Sequence, residues 1–234
     1  MIKIRKSENR GSTSLSWLES KHTFSFGNYQ DNQYRGFESL LVINDDIVKP
    51  GKGFSTHSHN NMEIISYVLH GSLQHKDSIG NGSIILPGDV QRMSAGTGVT
   101  HSEYNNSAND PVHFLQIWFI PDKNNLLPSY EQKNFSIEQK RGKFCLVASK
   151  DGHYDSVSII QNVNISVALI NKAEEVTYDI SKKRSLWVHI AQGTVNMNNI
   201  SLKEGDGAAI YDEKVITFTK GIDSEIIVFD MKPI

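Results

Sequence analysis

Cysteine is nearly absent from this chain. Cys145 is the single one in 234 residues, so no disulfide can close within the chain and no cluster of thiolates can hold a metal. It stands in the apolar run 144–148 and is expected as an inert core residue. Also missing is any run of the roughly 18 apolar residues that a membrane-crossing helix needs, and residues 1–6 carry no apolar stretch of the kind found in a secretory leader. A cytoplasmic protein without a membrane partner is expected. Charge of one sign is lacking too: 24 Lys and Arg against 26 Asp and Glu leave a formal charge of −2. With no basic tail or stripe to displace counterions from a phosphate backbone, direct binding of nucleic acid is not expected. Long amphipathic helical patterns are scarce, which points away from a helical bundle.

What the chain does have is a globular balance of 38% hydrophobic and 21% charged residues, sufficient for a packed core. Its length allows one large domain or two of roughly 100 to 150 residues. Short apolar segments at 64–69, 114–119 and 186–190 read as strands. Eight glycines between Gly51 and Gly98 supply turns between them. Many short strands with frequent turns indicate a sandwich or barrel. Residues 121–143 are polar, with Pro121, Pro128 and paired Asn124 and Asn125, and read as a linker. The expected division is an N-terminal lobe at 1–120, the linker at 121–143 and a C-terminal lobe at 144–234. A weak repeat supports two similar barrels: an apolar strand, Gly71, then Gly88-Asp89 is matched by an apolar strand, Gly193, then Gly205-Asp206.

One constellation carries chemistry. In His57-Ser58-His59 two imidazoles stand two residues apart, and on a strand such residues share a face. His101-Ser102-Glu103 repeats the geometry with an imidazole and a carboxylate, after Gly96-Thr97-Gly98, where the backbone can bend tightly. Two such strands facing each other supply three nitrogens and one oxygen to a borderline divalent metal, with positions left for water or substrate. Iron, manganese, cobalt, nickel, copper and zinc all remain open. His22, His70, His113, His153 and His189 lack a ligating partner two residues on, and surface or supporting roles are expected for them. His75 is followed by Asp77, yet the pair lies beyond the Gly71 turn in a hairpin arm and is expected to support rather than ligate.

These residues resemble the two cupin motifs. Gly51, His57, His59, Glu63 and Gly71 follow the first, and Gly98, His101 and Asn105 the end of the second. The longer series through Met62-Glu63, Pro87-Gly88-Asp89 and Met93-Ser94-Ala95-Gly96-Thr97-Gly98 is similar to the pirin family, in particular its bacterial quercetinase-like members. The likeness runs from Trp17-Leu18 and 22–26 to the Gly205-Asp206 lobe. It implies an all-β bicupin, two jelly-roll β-barrel lobes with a few short helices, and one divalent metal, Fe2+ favoured, held by His57, His59, His101 and Glu103. The second lobe would lack ligands. Glu63 is the one rival carboxylate; the expectation is that Glu103 ligates while Glu63 accepts a hydrogen bond from an imidazole N–H.

The resemblance further implies a quercetin 2,3-dioxygenase, which opens a flavonol ring with O2 and releases carbon monoxide. Glu103 would then also take the substrate's 3-hydroxyl proton. Two other readings stay open. Eukaryotic pirins are iron-containing partners of transcription factors, a non-enzymatic role, and a dioxygenase of this kind could act on another aromatic or enol substrate. The expected partners are a flavonol-like aromatic and O2, and the expected oligomeric state is a monomer.

Overall fold

The computed structural model describes residues 1–233. They form two compact units, one of residues 11–134 with 157–161, the other of 1–10, 135–156 and 162–233. Both are almost entirely β.

In the first unit seven antiparallel strands form one sheet, in the order Ser129–Asn134, Asp89–Ser94, Glu63–His70, Val112–Phe119, Leu40–Val48, Leu18–His22 and Gly11–Ser14. A second sheet has Gly53–His59, Val99–Asn105, Leu73–Asp77 and Gly82–Ile85. The expected strands at 64–69 and 114–119 are central strands of the larger sheet, paired with each other through Ile117 and Ile65. Between the sheets, Val48, Val68, Leu73, Ile85, Val112 and Phe114 make one buried cluster. Ile64, Met93, Ala95 and Val99 make another. Two facing sheets with inward apolar residues are the sandwich arrangement in which every strand buries one face.

Residues 121–143, expected as a linker, include the strand Ser129–Asn134, which pairs along its whole length with Asp89–Ser94. They also include the helical turn Ile137–Lys140, capped by reciprocal bonds of Ser136 and Gln139. In Ser-Tyr-Glu-Gln-Lys-Asn no apolar alternation marks a strand; backbone pairing to an edge supplies it instead.

The other unit is built on Ser185–Met197 and Val215–Met231 side by side, flanked by Gly207–Ile210 and Ile2–Arg5 on one side and by Val163–Ile170 and Cys145–Ser149 on the other. Its core holds Leu186, Val188, Ile190, Phe218, Ile226 and Val228. The first residues join this unit because Ile2–Arg5 pairs with Gly207–Ile210. Cys145 corrects the sequence reading: it is half-buried rather than in the core, because it starts its strand and only Val147, Ala148 and Ser149 are fully covered. Among the described residues no helix is long and apolar enough to cross a membrane, a statement about helices alone.

Candidate metal centre

The four residues singled out by parity lie on two neighbouring strands of the smaller sheet of the first unit. Gly53–His59 and Val99–Asn105 are antiparallel neighbours with His101 opposite His57. Along Val99–Asn105 the odd positions Val99, His101, Glu103 and Asn105 are buried, and the even ones face outward or lie partly covered. A bulge between His101 and Glu103 puts Glu103 opposite Phe54, advancing the carboxylate relative to the imidazoles. Gly53 sits at that bulge, where an added Cβ would stand 2.2 Å from the Glu103 carbonyl oxygen. The expected bend before this strand is present: Gly96 has φ +48° and its added Cβ would meet the Leu126 carbonyl at 2.0 Å.

The rings of His57, His59 and His101 converge, with centroids 4.9, 4.4 and 5.0 Å apart. One ligand atom from each lies within 4.8 Å of the other two. Each ring is prepared differently. The Nδ1–H of His57 donates to the Ser55 carbonyl at 2.8 Å, which leaves Nε2 with its lone pair. His101 has a buried Nε2 without a hydrogen-bond partner among the described residues. Its other nitrogen lies 3.5 Å from Nδ1 of His75, and Nε2–H of His75 donates to Asp77 at 3.1 Å. In that chain His75 accepts from His101, so the free nitrogen of His101 is the one that carries a lone pair.

Electrostatics keep His59 and His101 neutral. Burial, together with the neighbouring His57, lowers His59 to about 4. Burial and the same crowding lower His101 to about 3. Glu103 is buried on the sheet's inner side, and burial pushes its carboxyl up to about 7 against the hydrogen bonds it accepts. Those bonds come from Ser66 Oγ to Oε1 at 2.8 Å and from Gln116 Nε2 to Oε2 at 2.6 Å. The orphaned Nε2 of His101, close to the neutral His59 and to a carboxyl group held by neutral donors, fits a divalent transition metal.

Glu63 takes another place from the expected one. Its Oε2 accepts from Ser94 Oγ at 2.9 Å and from the Ile160 amide at 3.0 Å. The chain turns at Asn60–Met62, with φ +47° at Asn61, and carries Glu63 into the larger sheet. His75 was expected in a hairpin arm, which Leu73–Asp77 is, but register sets it opposite Glu103. His75, His101 and Glu103 thus also bring ligand-type atoms within 4.8 Å of one another. Ser66 and Gln116, which hold Glu103, carried no motif; only their inward parity could have marked them. Among the described residues both clusters of potential ligands lie in this unit. His70 and His153 are exposed, and His113 pairs with Asp45 at 2.6 Å.

The centre opens on a cavity of about 440 Å3. Trp17, Leu18, Phe26, Phe54 and Trp118 give it aromatic and apolar walls, and His57, His59 and Glu103 reach its surface. Trp118 stands edge-on to His59, with centroids 4.9 Å apart, and edge-on to Phe26 at 5.5 Å. Trp17 and Phe54 form a second edge-to-face pair at 5.3 Å.

Two facing antiparallel sheets that turn paired imidazoles and a carboxylate inward define the cupin class of metal-site barrel. A family model for pirin matches residues 3–119, and a model for the quercetinase C-terminal cupin domain matches residues 146–231. Over all 234 residues, and the full length of both proteins, the chain is 41% identical to a quercetin 2,3-dioxygenase of Escherichia coli. A pirin-like protein of Caulobacter vibrioides is 37% identical, covering 98% of this chain and 99% of that one. Among solved structures, that of the bacterial pirin YhhW from Escherichia coli in complex with nickel(II) superposes with a TM-score of 0.94 at 41% identity, covering all of both chains. The chain belongs to the pirin family.

Proposed function

We propose that this protein is a metal-dependent dioxygenase that opens the ring of a flavonol such as quercetin with O2, its metal held by His57, His59, His101 and Glu103. The observation that carries the reading is the convergence of the imidazoles of His57, His59 and His101, with the buried Glu103 carboxyl lining the same open aromatic cavity as His57 and His59. That cavity favours catalysis over a purely regulatory role, which needs no room for a planar organic ligand. The name of the Escherichia coli relative supports the substrate class, and the nickel(II) complex of YhhW supports a divalent ion without deciding which one this chain takes.

When bound, such a metal would supply Lewis acidity toward the enol oxygen of a flavonol. The protein's own residues do the rest. Trp118, Phe26, Trp17 and Phe54 bind the flat rings and exclude water. His75 and Asp77 keep His101 in one tautomer. Glu103 accepts the proton of the substrate's 3-hydroxyl, and Ser66 and Gln116 hold its carboxylate in place for that transfer.

The test is loss of quercetin under O2 by protein reloaded in turn with iron, manganese, cobalt, nickel or copper, beside a His57→Ala, His59→Ala variant. Metal-dependent turnover that vanishes in the variant is expected. Stoichiometric metal with no turnover on quercetin or on related enols would overturn the catalytic reading.

A further inference from the structure

The larger sheet presents an unusual inner face. Through the register, Gln91, Ser66, Gln116, Asn44 and His22 stand side by side across five strands. Such a rung would ordinarily be apolar in a sandwich core. Ser66 and Gln116 are engaged with Glu103. Farther along, the Nδ1–H of His22 donates to Asn44 Oδ1 at 2.7 Å, and Thr13 Oγ1 lies 2.8 Å from the other ring nitrogen. On the next rung Asp46 stands between Phe114 and Ser20. It is 3% exposed and lines the cavity. Ser20 is hydrogen-bonded to its carboxyl. Its Oδ1, however, has no hydrogen-bond partner among the described residues. A desolvated carboxylate oxygen left without a donor is costly, and it persists where a ligand or a water completes it.

The chemistry of the lining says what kind of ligand that is. Among the described residues it includes two carboxyls, Asp46 and Glu103, and neither Lys nor Arg. At the Asp46 end the protein offers an anionic group no side chain to pair with, whereas a neutral hydroxyl can donate to Asp46. From strand spacing, Asp46 lies roughly 8 Å from Gln116 between Cα atoms, one strand across and one rung along. Gln116 holds Glu103, so a multi-ring ligand with one end at Glu103 can reach toward Asp46 across this interval.

We propose that Asp46, steadied by Ser20 and flanked by the Thr13, His22 and Asn44 group, is a substrate-positioning residue. It selects aromatic substrates that carry a hydroxyl donor remote from the metal-binding end. The assignment rests on the dioxygenase reading for its ligand class. Asp46 acts on recognition rather than on the reacting atoms, so binding is the readout.

The experiment compares wild-type protein and Asp46→Asn, each loaded with nickel(II) and kept without oxygen, by quenching of tryptophan fluorescence. Quercetin carries remote hydroxyls, whereas 3-hydroxyflavone has the chelating end alone. Wild type is expected to bind quercetin at least about tenfold more tightly, the scale of satisfying a buried polar group that is otherwise left unpaired. Asp46→Asn is expected to remove most of that preference by weakening quercetin alone. Without ligand the variant should melt at the same temperature as wild type or higher, since a carboxylate kept only for packing would instead be missed. An unchanged ratio, or a variant that melts lower, would overturn the assignment to Asp46. If wild type binds neither flavonol, the flavonol reading fails and the ligand class proposed here falls with it.

Discussion

His75 shows how much of the site depends on side chains that need not touch a metal. Its ring is wholly buried between Asp77 and His101; its Nε2–H donates to Asp77 and its Nδ1 accepts from His101, which orders the tautomer of His101. Replacing a partner of this kind typically costs 10- to 100-fold in metal affinity. His75→Ala is therefore expected to weaken metal binding by at least about tenfold in a competitive chelator titration, with the fold retained by circular dichroism. An unchanged affinity would remove His75 from the support of the centre. Glu103→Gln should keep an oxygen toward the metal and lose the base, so metal binds while quercetin turnover falls by about 100-fold or more. Turnover at the parent rate would defeat the base assignment. The residues proposed as ligands could be paired in the sequence because parity on a strand is a local property: His57 with His59, and His101 with Glu103, share a face whatever the fold. Asp46, His75 and Gln116 were not, since each reaches the site only through pairing with a distant strand.

At the scale of the element, the strands at 64–69, 114–119 and 186–190 were readable from their apolar content, and Gly71, Gly88 and Gly205 do adopt the positive φ that their turns demand, whereas Gly193, also at positive φ, lies within the strand Ser185–Met197 at a break in register rather than in a turn. Ser129–Asn134 was not readable, because an edge strand owes its conformation to a neighbour's free N–H and C=O groups more than to its own side chains. Glu63 failed for a related reason: a bend at Asn61 breaks parity that an unbroken strand would keep. The bulge at His101 and Glu103 requires Gly53, which has no room for a Cβ beside the Glu103 carbonyl. Gly53→Ala is expected to destabilise the protein by about 2 kcal/mol and to lower metal occupancy by displacing Glu103. Urea denaturation and metal content check this, and a variant with parental stability and full occupancy would show that the bulge tolerates the methyl.

For the whole molecule, the centre links stability to pH in two opposing ways. Glu103 and Asp46 are each raised to about 7, so the metal-free fold holds protons that the unfolded chain releases above about pH 4 to 4.5; their contribution falls as pH rises to 7. His59 and His101, lowered to about 4 and about 3, do the reverse: the unfolded chain takes up protons below about 6.5, and stability is lost as pH falls from there. Between about pH 4.5 and 6.5 the two pairs largely cancel. Glu103→Gln removes one of the two raised carboxyls from the balance. Its metal-free stability should improve on the parent's by ~1 kcal/mol per pH unit between about 4.5 and 7. Urea midpoints at pH 5 and pH 8 measure it, and an equal difference at both would contradict the buried, protonated carboxyl. Metal added to the parent should raise the melting temperature in proportion to the logarithm of its concentration, and a chelator should reverse the shift.

Dioxygenation of a flavonol ring by the metal-loaded centre has one signature that neither simple oxidation of quercetin nor a regulatory metal protein reproduces. Carbon monoxide released should be measured against oxygen consumed, with quercetin as substrate and the His57→Ala, His59→Ala variant as control. One carbon monoxide per O2 in the loaded protein, and none in the variant, is the expected result. Oxygen uptake without carbon monoxide, or equal release from the variant, would contradict it.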